Sequence, residues 1–466
     1  MYRVTLFCLT TCIILHFSHS ISSFPNIYQK TKTVPLNENE DNGETLILTP
    51  YIENGNIEEA RRLAEVKHEA FQNITHYAGF FTVNKTYNSN FFMWFFPSES
   101  NSTDPVVLWL QGGPGATSMY GLFTENGPFE INNQSEVILR EKSWTKMNNL
   151  LYIDNPAGAG YSFTDHGGYA HDEDQIGEEL FQAIQQFFLL FPELRKNEFF
   201  LTGESYAGHY IPAVGHKILG KNTALPDDLK INLKGLAIGN GWTDPINQMD
   251  FGEYLFQHGI VDSNTKNIMD GRRDLAIQLI NQEKYGEART IYDDIILILK
   301  EVTGFKNIYN YLFALDTDDE SLMDDFVQRS DIRKAIHVGG ATFQNGDQVN
   351  LALNDDVMKS VVHLLPDILA NYRVLLFSGQ VDIIVAYPLT INYLQKLNFS
   401  AAKEYKVAKR NIWYVDEDIA GFVKVAGNLT DLLVRDAGHM VASDQPAWAF
   451  DMINRFTRNI PFDVPL

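Results

Sequence analysis

The sequence predicts an α/β protein: a mostly parallel central sheet with helices on both faces and a helical insertion laid over it. Three observations predict it. Short apolar, β-prone runs alternate with amphipathic helical stretches, which is the pattern of parallel strands joined by crossover helices. The stretch FFLTGESYAGHYIP at 199–212 carries an apolar run through a sharp turn at Ser205 straight into a helix. Two later strands run out into the polar turns 378–382 and 435–439, so Asp382 and His439 fall just past strand C-termini, where open α/β sheets place reactive groups.

Each element has its own justification. Residues 1–20 read as a secretory signal: Arg3, a mostly apolar run over 4–17, then Ser18-His19-Ser20. That run is shorter than the roughly 18 to 20 unbroken apolar residues of a membrane span and is interrupted by threonines. Cys8 and Cys12 both lie inside it, so a mature chain without disulfides is expected in the secretory pathway. Residues 21–45 are polar and without periodicity, a flexible lead or propeptide.

Ile57, Ala60, Leu63, Ala64 and Val66 give 56–71 a near-helical spacing, and the aromatic runs 77–83 and 90–97 form a hairpin. Strands follow at 106–110 and 150–153, and the turn after the second has G-x-G without the third glycine of a dinucleotide site. A crossover helix over 172–191 puts Ile176, Leu180, Ile184, Phe187, Phe188 and Phe191 on one face and stops at Pro192. After a strand at 233–238, residues 244–329 keep helical spacing with no core strand. They divide the core into a first part, 46–243, and a second, 330–466. The acid-rich turn at 316–325 lacks the glycine and glutamate placement of a calcium loop. Strands at 373–377 and 431–434 and an amphipathic helix at 446–456, with Trp448, Met452 and Phe456 on one side, close the chain.

With 466 residues, 45% hydrophobic and 12% aromatic, the chain is globular. Its formal charge of −22 becomes −23 when the signal takes Arg3 away, which argues against nucleic acid or anionic lipid as a partner. Such acidity suits work at low pH. Six N-x-S/T sequons, at Asn73, Asn84, Asn101, Asn133, Asn398 and Asn428, are surface glycan sites in a secreted chain.

Taken singly, Ser205 fits an ordinary Gly-rich turn, Asp382 a turn acid and His439 a loop histidine. Their order along the chain and their common position at strand ends make one constellation, that of an α/β-hydrolase. Ser205 is the nucleophile, His439 takes its proton, Asp382 fixes the imidazole tautomer, and the backbone N–H groups of Gly113 and Tyr206 hold the oxyanion. Neither metal nor cofactor is called for: there is no HExxH, the histidines are scattered, and no motif serves hydride chemistry.

Motifs across 45–460 carry a more specific resemblance: WLQGGPGATS from Trp109, GLFTENGP from Gly121, YIDNPAGAGYSF from Tyr152, TGESYAGHY from Thr202, IGNGWTDP from Ile238, SGQVDIIV from Ser378 and AGHMVASDQP from Ala437. The chain resembles the serine carboxypeptidases, most closely the vitellogenic carboxypeptidase-like branch. The resemblance implies removal of single residues from peptide or protein C-termini, with Gln111, Glu125, Glu204 and the Gly112 backbone gripping the substrate carboxylate. It also implies that the insertion shapes the side-chain pockets. Glu125 and Glu204 cannot both ionise cheaply, so they should share a proton and donate to that carboxylate at acid pH. Gln111 replaces the family's usual asparagine, Ala116 a cysteine and Ala442 a proline, and without mature cysteines the insertion lacks its relatives' disulfides. A secreted or lysosomal location, or an acidic granule, and a homodimer are compatible with the resemblance. The other functions open at this point are acyl transfer or ester hydrolysis on the same fold and an idle protective or storage protein.

Overall fold

Val106 to Leu110 and Phe199 to Leu201 are apolar at every position, so both faces of their sheet must be covered. In the computed structural model, which describes residues 32–36, 40–72, 74–315 and 321–464, these strands lie side by side in the middle of a ten-stranded sheet. Its strands are β1 (Tyr77–Asn84), β2 (Ser89–Phe96), β3 (Val106–Leu110), β4 (Asn149–Ile153), β5 (Phe199–Glu204), β6 (Leu233–Gly239), β7 (Arg373–Gly379), β8 (Asn411–Val415), β9 (Asp418–Ala426) and β10 (Leu429–Val434). They are ordered β1-β2-β4-β3-β5-β6-β7-β10-β9-β8. The six strands from β4 to β10 in that order pair parallel, and antiparallel hairpins flank them at both edges.

Successive side chains of one strand enter opposite cores, as the period of two requires. Leu108, Leu110 and Leu201 join the helix-covered core with Ile176, Leu180, Ile184 and Val214, whereas Val107, Trp109 and Phe200 join the other with Trp94, Trp144 and Phe456. The predicted mostly parallel sheet and its crossover helices are therefore as expected. Helices α1 (Thr49–Glu53) and α2 (Ile57–Ala64) precede the sheet, α3 (Glu173–Leu190) starts from the Asp172 cap, and α4 (Ala207–Asn222) follows the Ser205 turn. Two local expectations change. The helix expected over 56–71 ends at Ala64, because Glu65 turns extended and Val66 donates its N–H to His76 O at 2.9 Å. The edge strands β8 and β9 were not foreseen: half-exposed, they alternate too weakly to stand out.

Between β6 and β7 none of the described residues enters the main sheet. That stretch holds α5 (Phe251–Gln257), α6 (Ser263–Asn281), α7 (Tyr285–Thr303) and α8 (Ser321–Val327), then a short turn at Asp356–Met358. Of the lead, residues 32–36 are tied to α8 and its end: Lys32 N donates to Asp324 Oδ2 at 2.6 Å and Val34 N to Gln328 Oε1 at 2.8 Å. Asn101, Asn133, Asn398 and Asn428 are exposed and Asn84 is half-buried. The expected signal with its two cysteines, lead residues 21–31, Asn73 and residues 316–320 of the acidic turn lie outside the described residues. Among the described residues no helix is long and apolar enough to cross a membrane.

Candidate active site

Ser205 sits between β5 and α4 with φ +62, a backbone conformation that a non-glycine residue adopts only when its surroundings impose it. Here Ser205 N donates to Gly239 O and Ser205 O accepts from Trp242 N, both at 2.9 Å. The turn also needs small neighbours. A Cβ at Gly208 would come within 2.7 Å of the Trp242 backbone, so only glycine lets α4 start this close to the chain leaving β6.

Because β5, β6, β7 and β10 are successive parallel neighbours, the residues after their C-terminal ends stand in a row: Ser205, Asn240, Asp382 and His439. Asp382 and His439 are completely buried. Asp382 Oδ2 takes a hydrogen bond from His439 Nδ1 at 2.9 Å and another from Asn240 Nδ2 at 2.6 Å; Ile384 N donates to Oδ1 at 2.9 Å and Val385 N to Oδ2 at 3.2 Å. Four donors on one carboxylate fix its orientation, and the bond to Nδ1 leaves Nε2 as the basic face of the imidazole. Ser205 Oγ and His439 Nε2 are both buried, and neither has a hydrogen-bond partner among the described residues.

The turn after β3 lies directly against the elbow. A Cβ at Gly112 would fall 2.5 Å from Tyr206 N and 2.7 Å from Ser205 Cβ, so the backbone can approach only because Gly112 has none. Gly113, Ser205 and Tyr206 line a small, narrow cavity with Trp242, Tyr292, Val357 and Val385. Apart from Ser205, its side chains are aromatic or aliphatic.

On the other side of the same turn, Gln111, Glu125 and Glu204 form a buried cluster. Trp109 Nε1 donates to Gln111 Oε1 at 2.7 Å, which turns the amide NH2 toward the acids. That nitrogen donates to Glu204 Oε1 at 2.8 Å and Glu125 Oε1 at 3.2 Å. Burial pushes the Glu125 carboxyl up to about 7, opposed by its hydrogen bonds with Glu204 and Gln111. Glu125 ends a single π-helical turn, Gly121–Glu125, which Arg140 braces by donating from Nη2 to Phe123 O at 2.8 Å and from Nε to Gly127 O at 3.0 Å. Two carboxyls on one amide in a dry site hold one proton between them more readily than two charges.

The residues named from sequence therefore lie in two adjoining groups, around Ser205 and around Gln111. Sequence reasoning assigned no role to Asn240, although its place between glycines just beyond a strand end and its φ of +42 mark a turn built for a purpose. Arg140, Tyr292 and Val357 left no local signal, since each acts through residues far away in the chain.

Residues 66–459 match the family model described as serine carboxypeptidase. The venom serine carboxypeptidase of Apis mellifera is 50% identical over 465 residues, covering 97% of this chain and 99% of that protein. The vitellogenic carboxypeptidase of Aedes aegypti is 43% identical, covering 90% of each chain, and the probable serine carboxypeptidase CPVL of Homo sapiens is 41% identical, covering 93% of each. Among solved structures, Kex1(delta)p, a prohormone-processing carboxypeptidase from Saccharomyces cerevisiae, superposes with a TM-score of 0.77 at 25% identity, over 86% of this chain and 96% of that one.

Proposed function

The chain belongs to the serine carboxypeptidase family, a hydrolase acting on peptides, and from that premise we propose how its own residues release a C-terminal residue. Ser205 Oγ attacks the last peptide carbonyl and passes its proton to His439 Nε2. Asp382, held by Asn240, keeps the imidazole oriented and balances its charge. The N–H groups of Gly113 and Tyr206 stabilise the oxyanion. As the tetrahedral intermediate collapses, the C–N bond breaks and His439 protonates the leaving amine; water then attacks the acyl-enzyme by the same route. The unpartnered Oγ and Nε2 close their hydrogen bond once substrate is bound, as catalytic bonds commonly tighten in the Michaelis complex.

The observation that carries this reading is the Gln111–Glu125–Glu204 cluster, buried one residue from the nucleophile. Protonated between them, Glu125 and Glu204 donate to the substrate's terminal carboxylate, with Gln111 and the Gly112 N–H beside them. The enzyme then binds peptides best at acid pH. Residues 244–329 serve as a cap, and the apolar side chains beside Ser205 face the acyl-side residue. Acid operation fits a secretory chain bound for the outside or for a lysosome-like granule, with glycans on its exposed sequons. The test is release of the C-terminal residue from a blocked dipeptide at mildly acid pH. The wild-type protein should release it and Ser205→Ala should not; equal release by both would remove Ser205 from the mechanism.

A further inference from the structure

A second buried acid pair lies behind the elbow helix. Glu173, the first residue of α3, is 8% exposed, and neither of its carboxyl oxygens has a hydrogen-bond partner among the described residues. It lies against Asp356, 3% exposed, which sits in the turn that follows the capping helices. Asp356 Oδ2 accepts from Tyr206 Oη at 3.1 Å, and its Oδ1 is 3.4 Å from Lys359 Nζ. The Tyr206 ring stacks on His209 with centroids 4.5 Å apart and planes 9° from parallel. His209 in turn spans Trp242 O and Lys359 O through its two ring nitrogens.

The next residue in the turn belongs to the active site. Val357 lines the cavity beside Ser205, and its carbonyl accepts from Trp242 Nε1 at 2.8 Å. One side of the 356–359 segment therefore meets the acid pair while the other shapes the acyl cavity. A cleft of about 350 Å3, whose walls include Glu173, Asp356, His216, Lys217 and His363, gives the pair its own route to protons.

We propose that Glu173 is a proton-dependent positioning residue: protonated, it donates to Asp356 and keeps Tyr206 and the 356–359 segment seated, and ionised, it repels Asp356 and unseats them. The proposal rests on the catalytic reading of Ser205 and Tyr206. Burial and the charges of Asp356 and Asp172 hold the Glu173 proton on, and Lys359 opposes them. Tyr206, just before α4, and His209 and Tyr210 on it face the pair, and His216 and Lys217 of α4, Asp174 of α3 and His363 line the cleft beside it. The consequence is a loss of turnover at rising pH that is separate from the loss of carboxylate binding at Glu125 and Glu204.

The experiment is steady-state kinetics on a blocked dipeptide from about pH 5 to about pH 8, comparing wild type, Glu173→Gln and Asp356→Asn, both of which keep the shape and remove one carboxyl of the pair. The wild-type kcat should fall by up to about tenfold per pH unit once Glu173 ionises, and the kcat of both variants should stay level. KM should rise with pH in all three, because that rise belongs to the other pair. Superimposed kcat profiles for wild type and a folded Glu173→Gln overturn the proposal, and Asp356→Asn decides it if Glu173→Gln does not fold. Release that does not depend on Ser205 overturns the catalytic reading itself, and this proposal with it.

Discussion

Two buried carboxyl pairs flank the start of α4, and they differ in what they touch. Glu125 and Glu204 share the Gln111 amide in front of the elbow. Glu173 and Asp356 meet behind it, where Asp356 holds Tyr206 Oη. Burial holds the proton on Glu125 and on Glu173 alike, because a charge in a dry site forgoes hydration it cannot replace. On the proposed reading, the contrast teaches that a buried acid pair takes its role from its neighbours: facing the substrate it would govern binding, and facing the scaffold it would govern positioning.

The largest effect should come from a residue outside both pairs. Asp382→Asn keeps an amide near His439 but presents the wrong partner to Nδ1, and should lower kcat on the order of ten-thousandfold. The residual activity should keep the KM pH dependence of the front pair; if that dependence vanished as well, the two halves of the site would not be separable.

A smaller effect separates the pairs directly. Removing a hydrogen bond to a charged group costs about 1.5 to 3 kcal/mol, so Glu125→Ala should raise KM for peptides by roughly tenfold to a hundredfold at acid pH. An amidated substrate, which has no terminal carboxylate, should notice the change far less. Equal losses on both substrates, or the same pattern from Glu173→Ala, would dissolve the distinction between front and back.

The smallest effect is on stability, and here the pairs should behave alike. A carboxyl whose folded pKa is raised contributes fully below its unfolded value of about 4.5. That contribution fades as pH climbs, because the unfolded chain gives up its proton first. For Glu125 the loss is complete once the pH passes about 7. Relative to wild type, Glu125→Gln and Glu173→Gln should therefore gain melting temperature as pH rises from about 4.5, at about 1 °C per kcal/mol for a chain of this size. Melting curves offset from wild type by the same amount at every pH would mean that neither group keeps a displaced proton.

By itself the sequence determined whatever depends on neighbours along the chain. Alternating apolar runs forced a covered parallel sheet, the small residues around Ser205 forced the elbow, and strands ending before Asp382 and His439 put both past the C-terminal ends of the parallel strands. The Gln111 cluster was reached through family motifs rather than through spacing, because nothing local to Glu125 says that it will meet Glu204. Tertiary structure alone decided the rest. Asn240 reaches Asp382 across 142 residues of chain, and Asp356 reaches Tyr206 across 150. A carboxyl's charge depends on the water it has lost and on the groups that face it. Both are properties of the folded packing, which no stretch of sequence contains.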